Sequence, residues 1–365
     1  MKIQALVATG VRNLQPVRLE PRERFNVFSG DNGQGKTNLL EAIFVVAALR
    51  SFRTARLADM VAFGGERAEL GARVVKHDLV RLYAVEIAPG ARKVTLDGKA
   101  VRPLARYFGG FNVVVFTPED LGLPRGSPGE RRRFLDRGVF NLRPDYLGTA
   151  QDYERVLKTR NTVLRQVGDG ALDRRRGEDL LAVYDQQLAG IAAQVIAARR
   201  AFVEVVQGEL AGAFAAITRT ELVATVRYAV RAEATTAAEI VAALQAARAK
   251  DLATGATQVG PHRDDLVFAL SGREAGAYAS QGQLRAIMLA WKTAELAVLT
   301  RAHGDPPILL LDDVSSELDP QRNEYLFAHL ADLASQCFIT TTHPGHVLLR
   351  QHRADYRIVK GEILP

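Results

Sequence analysis

Cysteine occurs once in 365 residues, at Cys337, so no internal disulfide framework can hold this fold, and a reducing compartment suits the chain. Cys337 lies in an apolar run, where a thiol behaves as a small buried hydrophobe. Long apolar runs are missing too. The longest, Ala42–Leu49, falls far short of the width of a bilayer, and residues 1–13 hold no apolar segment of signal-peptide length. The chain also shows no internal repeat and no long low-complexity tract. These absences lead us to expect a soluble, cytoplasmic protein. What is present is ordinary globular composition, 47% hydrophobic and 24% charged, with enough apolar material for a sizeable core and room for two domains. Acidic residues are in deficit: the net charge is +7 and the pI about 9.6, which points to an acidic partner, nucleic acid first.

One stretch organises the rest. Gly30-Asp31-Asn32-Gly33-Gln34-Gly35-Lys36-Thr37 follows the apolar run Phe25–Phe28 and opens onto Asn38-Leu39-Leu40-Glu41-Ala42-Ile43. Strand, glycine-rich loop and helix are the context in which G-x-x-x-x-G-K-[ST] is a phosphate-binding loop. Glycines let successive backbone N–H groups turn toward phosphate oxygens, and the helix adds its positive end. Lys36 is expected to reach the β- and γ-phosphates of a nucleotide, with the Thr37 hydroxyl on Mg²⁺.

Along the chain, Ile3–Thr9 alternates loosely and reads as a strand that Phe25–Phe28 can join. Arg50, Arg53 and Arg56 form a basic segment after the loop's helix, either a solvated helix end or a phosphate-contacting loop. Between Ala68 and Phe116 the period changes to two. Asp97-Gly98 is a hairpin signal, and Phe111–Phe116 is a continuous apolar strand of the same, largely antiparallel region. From Thr117 the pattern becomes helical. Leu181, Tyr184, Leu188, Ile191, Val195, Ala198, Phe202 and Val205 keep a three–four alternation that predicts a coiled-coil-like seam. The polar stretch Gly168–Gly177, with Arg174-Arg175-Arg176, looks like the tip of a helical hairpin. Glu221–Val230 reads as a strand, and Thr236 starts a helix reaching about Lys250. We therefore divide the chain into an N-terminal part of the head (1–116), an inserted, mainly helical lobe with a short arm (117–254) and a C-terminal part of the head (255–365).

Pro307-Ile308-Leu309-Leu310-Leu311-Asp312-Asp313 is a buried strand ending in two carboxylates, the Walker B pattern. Asp312 is placed to hold Mg²⁺ and Asp313 to orient or deprotonate an attacking water. Upstream, Ser280-Gln281-Gly282-Gln283 precedes a helical run, a second anion site at a helix N-terminus. Its order relative to Walker B is that of the signature motif of ABC-type ATPases. Ser316-Glu317-Leu318-Asp319 occupies the D-loop position, and His343, after Thr340-Thr341-Thr342, the switch position.

This series resembles the ATPase heads of the SMC and ABC superfamily, an α/β P-loop fold, and within it the RecF family. Besides the motifs above, the resemblance rests on Ser51-Phe52-Arg53-Thr54, Gly126-Ser127-Pro128, Arg131–Asp136, Tyr153, Leu157, Arg160-Asn161 and Gly260–Asp265. It implies ATP and Mg²⁺ as cofactors, with Gly30–Asn38 around the nucleotide and Thr37 and Asp312 on the metal. Ser280, Gly282 and Gln283 would reach the γ-phosphate held by a second copy, and Asp313 and His343 would support hydrolysis. It further implies an ATP-dependent homodimer that clamps duplex DNA near gaps and single-strand/double-strand junctions. With RecO and RecR, that dimer promotes RecA loading, gap repair and SOS induction. A weak DNA-stimulated ATPase is expected, because Asp313 stands where the superfamily usually has a longer glutamate. No glutamine lies between Gln34 and Gln151, so Glu119 or Asp120 is the candidate for the Q-loop role. DNA-contact candidates are Arg50, Arg53, Arg56, Arg131, Arg132 and Arg133. The alternative is an ATP cassette energising another partner; the helical insertion, basic balance and missing Q-loop glutamine argue against a membrane partner.

Overall fold

The computed structural model describes residues 1–102, 104–333 and 335–365. They form two compact units. The first comprises Met1–Gly122, Gly212–Thr220 and Arg285–Pro365; the second comprises Leu123–Ala211 and Glu221–Leu284.

The first unit holds two six-stranded sheets. One is antiparallel and runs Val17–Leu19, Lys2–Thr9, Ala68–Lys76, Leu79–Ala88, Ala91–Leu96, Lys99–Ala100. The other runs Glu362–Leu364, Arg353–Val359, Phe25–Ser29, Cys337–Thr341, Ile308–Asp312, Val113–Phe116, and every neighbouring pair in it is parallel except the first. The helix Lys36–Ala48 packs against strands of both sheets, and Leu39 through Ala48 are buried. That is why its sequence is apolar all round rather than on one stripe.

Two strand assignments differ from the sequence reading, for one reason. Lys2–Thr9 pairs with Val17–Leu19 and Ala68–Lys76, not with Phe25–Ser29. Val113–Phe116 lies parallel beside Ile308–Asp312 and not in the antiparallel sheet. Alternating strands take the sheet with a solvated face, whereas uninterrupted apolar runs take the sheet buried on both faces. Asp97 and Gly98 do close the predicted hairpin, both with positive φ.

The helical hairpin runs from Tyr146–Gly168 through the polar tip into Arg174–Thr218, all of it in the second unit up to Ala211. The latter contains an 18-residue window with mean hydropathy 1.3, long and apolar enough by composition to cross a bilayer. Its buried line, however, includes Asp185 and Arg199, both ion-paired inside the unit. That line runs Leu181, Asp185, Leu188, Ala192, Val195, Arg199, Phe202, Val206, Leu210. It follows the 3.6-residue turn of a straight helix, so Val205, expected in a 3.5-residue seam, is exposed and Val206 is buried in its place. Thr236 caps the helix Ala237–Ala246, its Oγ1 accepting from Glu239 N at 3.3 Å.

Gly260–Asp265 also belongs to the second unit and forms its polar centre. Tyr153 Oη and His262 Nδ1 lie 2.6 Å apart, and His262 Nε2 is 2.9 Å from Thr257 O. A carbonyl can only accept, so Nε2 carries the proton and Nδ1 accepts from the tyrosine. Burial, reinforced by Arg263, Arg132 and Arg160, pushes His262 down to about 4. The unfolded histidine, near 6.5, therefore takes up its proton first as pH falls. The contribution is fully present above about pH 6.5 and is lost as pH drops toward 4, by at most about 1.4 kcal/mol per unit. Urea unfolding at pH 7, 6 and 5 should show this slope in the native chain and a shallower one in His262→Gln. Equal slopes would refute the assignment.

Candidate functional site

The phosphate-loop geometry starts with backbone that side chains would block. At Gly30, φ is +154°, and a Cβ would stand 2.4 Å from Ile358 O; Gly35, φ +110°, makes the final turn into the helix. Neighbouring segments fix the loop from outside. Asn13 Nδ2 donates to Gly33 O at 2.7 Å, Asn38 Nδ2 to Asn13 Oδ1 at 2.6 Å, and Gly361 N to Gln34 O at 2.9 Å. Asp31, Asn32 and Gly33 are exposed at the rim. Lys36 is folded over the loop, its Nζ donating to Gly30 O at 2.6 Å and Asp31 O at 2.9 Å. Burial lowers its pKa; Asp313, Asp312 and Asp31 act the other way.

Walker B closes on the same place. Asp312 Oδ1 accepts from Thr37 Oγ1 and from Thr340 Oγ1, each at 2.8 Å. Burial raises the Asp312 pKa, the two hydroxyls oppose it, and the charge of Glu119 adds to it. Asp313 follows in the left-handed region, φ +50°, with its N–H donating to Thr340 O and Oγ1. Its Oδ1 is buried with no partner among the described residues. The Q-loop candidates separate: Glu119 is exposed and acts electrostatically on Asp312, whereas Asp120 is buried in the capping box at Thr117.

The remaining motifs surround this centre or lie in the other unit. Ser316 Oγ donates to Asp313 O at 2.8 Å, and Glu317 pairs with Arg285 at 2.8 Å. His343 is exposed, its Nδ1 accepting from Gly345 N at 3.2 Å. Ser280 and Gln283 belong to the second unit and form a capping box at the start of the helix Gln281–His303, which passes into the first unit at Arg285, with Gly282 in its first turn. Helix end and small residue thus stand as expected, with Ser280 exposed.

The arginine candidates divide sharply. Arg53 donates to Asn38 Oδ1 at 2.8 Å and approaches Glu41, which Arg12 holds with two bonds of 2.8 and 2.9 Å. Arg50 is half-buried, and Arg56 is exposed beside Asp59. Arg131 makes a bidentate pair with Asp265 at 2.8 and 2.6 Å, and Arg132 donates to Asp264 O at 2.8 Å, both inside the second unit. Of these three, only Arg133 presents an exposed side chain. Arg174–Arg176 are exposed at the arm tip, with Arg174 on Glu178.

Sequence reasoning missed Asn13, Arg12 and Thr340. The first two sit in a loop far from any motif. Thr340 reads as a strand residue before the switch, and nothing local reveals that its hydroxyl supports Asp312.

The donor set fits a nucleotide with Mg²⁺. No group of three or more His, Cys, Asp or Glu forms a metal cage among the described residues. A hydroxyl and one carboxylate, Thr37 and Asp312, are the hard-oxygen set for Mg²⁺, which keeps waters and substrate phosphates as its other ligands. An orphaned buried oxygen, Asp313 Oδ1, lies one residue from this set.

Fold and site together define a P-loop ATPase head of the ABC/SMC class. The family model described as "RecF/RecN/SMC N terminal domain" matches residues 2–361. The DNA replication and repair protein RecF of Geobacter sp. (strain M21) is 41% identical over 372 residues, covering 100% of both chains. That of Myxococcus xanthus (strain DK1622) is 42% identical over 355 residues, 94% of this chain and 91% of the relative. Among solved structures, the recombination mediator protein RecF-ATP of the RecFOR pathway superposes with a TM-score of 0.89 at 29% identity, covering 99% of this chain and 96% of that one. The Smc head domain from Pyrococcus furiosus, TM-score 0.52 at 14% identity over 99% of this chain and 95% of that one, shares the fold. The chain belongs to the RecF family.

Proposed function

We propose that this chain is an ATP-gated DNA-binding protein of recombinational repair. ATP and Mg²⁺ are held by Gly30–Asn38 and Asp312. Two copies close head-to-tail with the Ser280-Gln281-Gly282-Gln283 element of each toward the other's nucleotide. The closed dimer grips duplex DNA at gaps and junctions and, with RecO and RecR, promotes RecA loading in the cytoplasm. The single observation that carries this reading is the Thr37–Asp312–Thr340 cluster with the unpartnered Asp313 oxygen beside it.

The bound group supplies the phosphoanhydride to be cleaved and a cation to neutralise its charge. The chain's own residues then have defined tasks. The loop N–H groups and Lys36 hold phosphate oxygens. Thr340 fixes the Asp312 carboxylate. The buried Asp313 oxygen accepts a proton from a water at the site. Aspartate is one methylene shorter than glutamate, so we expect slow turnover, suited to a switch.

Fluorescence anisotropy on a gapped duplex tests this. Native binding should tighten with Mg-ATP. Asp313→Asn should bind equally in ATP but release DNA at least about tenfold more slowly, a proton acceptor being worth 10²–10⁴-fold in rate. Binding indifferent to ATP in both proteins would refute the proposal.

A further inference from the structure

Phe63 is the most exposed large hydrophobic residue of those described, with its whole ring in solvent. A single exposed ring is common on protein surfaces, and what sets this one apart is the support beneath it. The backbone beneath it is tightly held. Ala62-Phe63-Gly64-Gly65 is a turn closed by Gly65 N donating to Ala62 O at 2.8 Å, with Gly64 at φ +73° in the position that requires glycine. The turn is fastened at its base: Ala62 N donates to Gly10 O at 2.9 Å, Arg12 N to Met60 O at 2.9 Å, and Val61 bridges Val11. The ring is thus presented on a fixed support.

The segment to which Phe63 is fastened leads directly to the nucleotide site. Arg12 holds buried Glu41 of the phosphate-loop helix, and Asn13 holds Gly33 O. Residues 50–69 carry four arginines, Arg50, Arg53, Arg56 and Arg67, against three acids, Asp59, Glu66 and Glu69. Arg56 and Arg67 are exposed on either side of the turn in sequence, each beside one carboxylate, Asp59 and Glu69, in exposed pairs that contribute little and that a phosphate can displace. A rigid exposed aromatic among arginines suits nucleic acid more than an apolar protein face. The arginines take the phosphates, and the ring offers a face on which a base can stack without sequence preference.

We propose that Phe63 is a base-stacking residue that reads the first unpaired base at a single-strand/double-strand junction, and that its turn couples junction contact to the phosphate loop through Arg12 and Asn13. Paired bases inside a duplex are already stacked and leave the ring without a face to cover, so the contact favours gaps over continuous duplex. This rests on the DNA-clamp reading above and adds the residue that would give the clamp its preference for junctions.

The test uses the full chain with Mg-ATP and two probes: a continuous duplex and a gapped duplex with 2-aminopurine as the first unpaired base. Phe63→Ala should bind gapped DNA about tenfold more weakly, the range expected for one lost stack, with continuous-duplex binding unchanged. Phe63→Trp should restore the preference. The native chain should quench the 2-aminopurine and Phe63→Ala should not. Because the ring is exposed, the variant should fold normally. Equal affinities of native and Phe63→Ala for gapped DNA would overturn the proposal. So would a defect confined to ATP-dependent self-association, which would make the ring a contact between copies. Native binding that ignores Mg-ATP yet loses its gap preference in Phe63→Ala would sink the gated clamp and the coupling through Arg12 and Asn13, and uphold the ring's stacking role.

Discussion

Lys36→Met should leave the chain folded and blind to ATP. Lys36 is 6% exposed, and its ammonium is held by the carbonyls of Gly30 and Asp31, inside the curve that the glycines create. No other basic side chain shares that curve with it among the contacts of the loop, so methionine fills the volume and deletes the charge. Truncating one partner of a buried charge pair costs about 2–5 kcal/mol, which is thirtyfold or more in nucleotide affinity. In the nucleotide-free state the change should be close to neutral. Burial already disfavours the charged lysine there, and only the nearby charges of Asp313, Asp312 and Asp31 act the other way. The contrast makes the measurement clean. With Mg-ATP at about a hundred times its dissociation constant, the native first unit gains about 2.7 kcal/mol by mass action and unfolds at a higher temperature. Lys36→Met should show no such shift and no ATP-dependent tightening on gapped DNA. A variant that kept the native shift would mean that Lys36 does not meet the nucleotide.

The site's cores were legible because each is written in a short, ordered stretch. Gly30–Thr37 dictates its own backbone, and four apolar residues before Asp312 dictate a buried strand. Ser280 and Gln283 read as an anion site at a helix start, and the helix does start there, with the two side chains forming a capping box. What was not legible is carried between distant segments. Thr340 supports Asp312 across 28 residues, and Asn13 grips Gly33 across 20. The arginine run Arg131–Arg133 reads as a basic patch, yet Asp265 and Asp264, more than a hundred residues on, take up two of the three. Charge runs seen in sequence count side chains without their counter-ions. Likewise the strand Lys2–Thr9 was legible as a strand but not in its partner, since alternation fixes which face is buried and not which edge is paired.

Arg160→Met should destabilise the second unit by about 3–5 kcal/mol, the cost of removing one member of a buried ion network. Arg160 is fully buried. Its Nε donates to Asp185 Oδ1 at 2.8 Å, and its Nη1 to Asp251 Oδ2 at 2.7 Å and Thr257 Oγ1 at 2.8 Å. It therefore ties the helix Tyr146–Gly168 to Arg174–Thr218 and to Arg248–Thr254. Arg248 also pairs with Asp185, and Gln258 N donates to Asp251 Oδ1 at 2.9 Å, so those carboxylates keep some partners when Arg160 is gone. They still carry two negative charges against one remaining arginine in a dry interior. Replacing a whole buried ion group by apolar side chains is often neutral, whereas removing one member is not. Arg160→Met combined with Asp251→Asn should therefore recover part of the loss, a coupling readable as a double-mutant cycle. Arg160→Lys should rescue poorly, because one ammonium cannot span the fork that reaches both Asp185 and Asp251. Calorimetry should show the second unit unfolding first while the first unit keeps its ATP-dependent shift. A loss below about 1 kcal/mol, the range of an exposed pair, would show that packing rather than this network holds the three helices together.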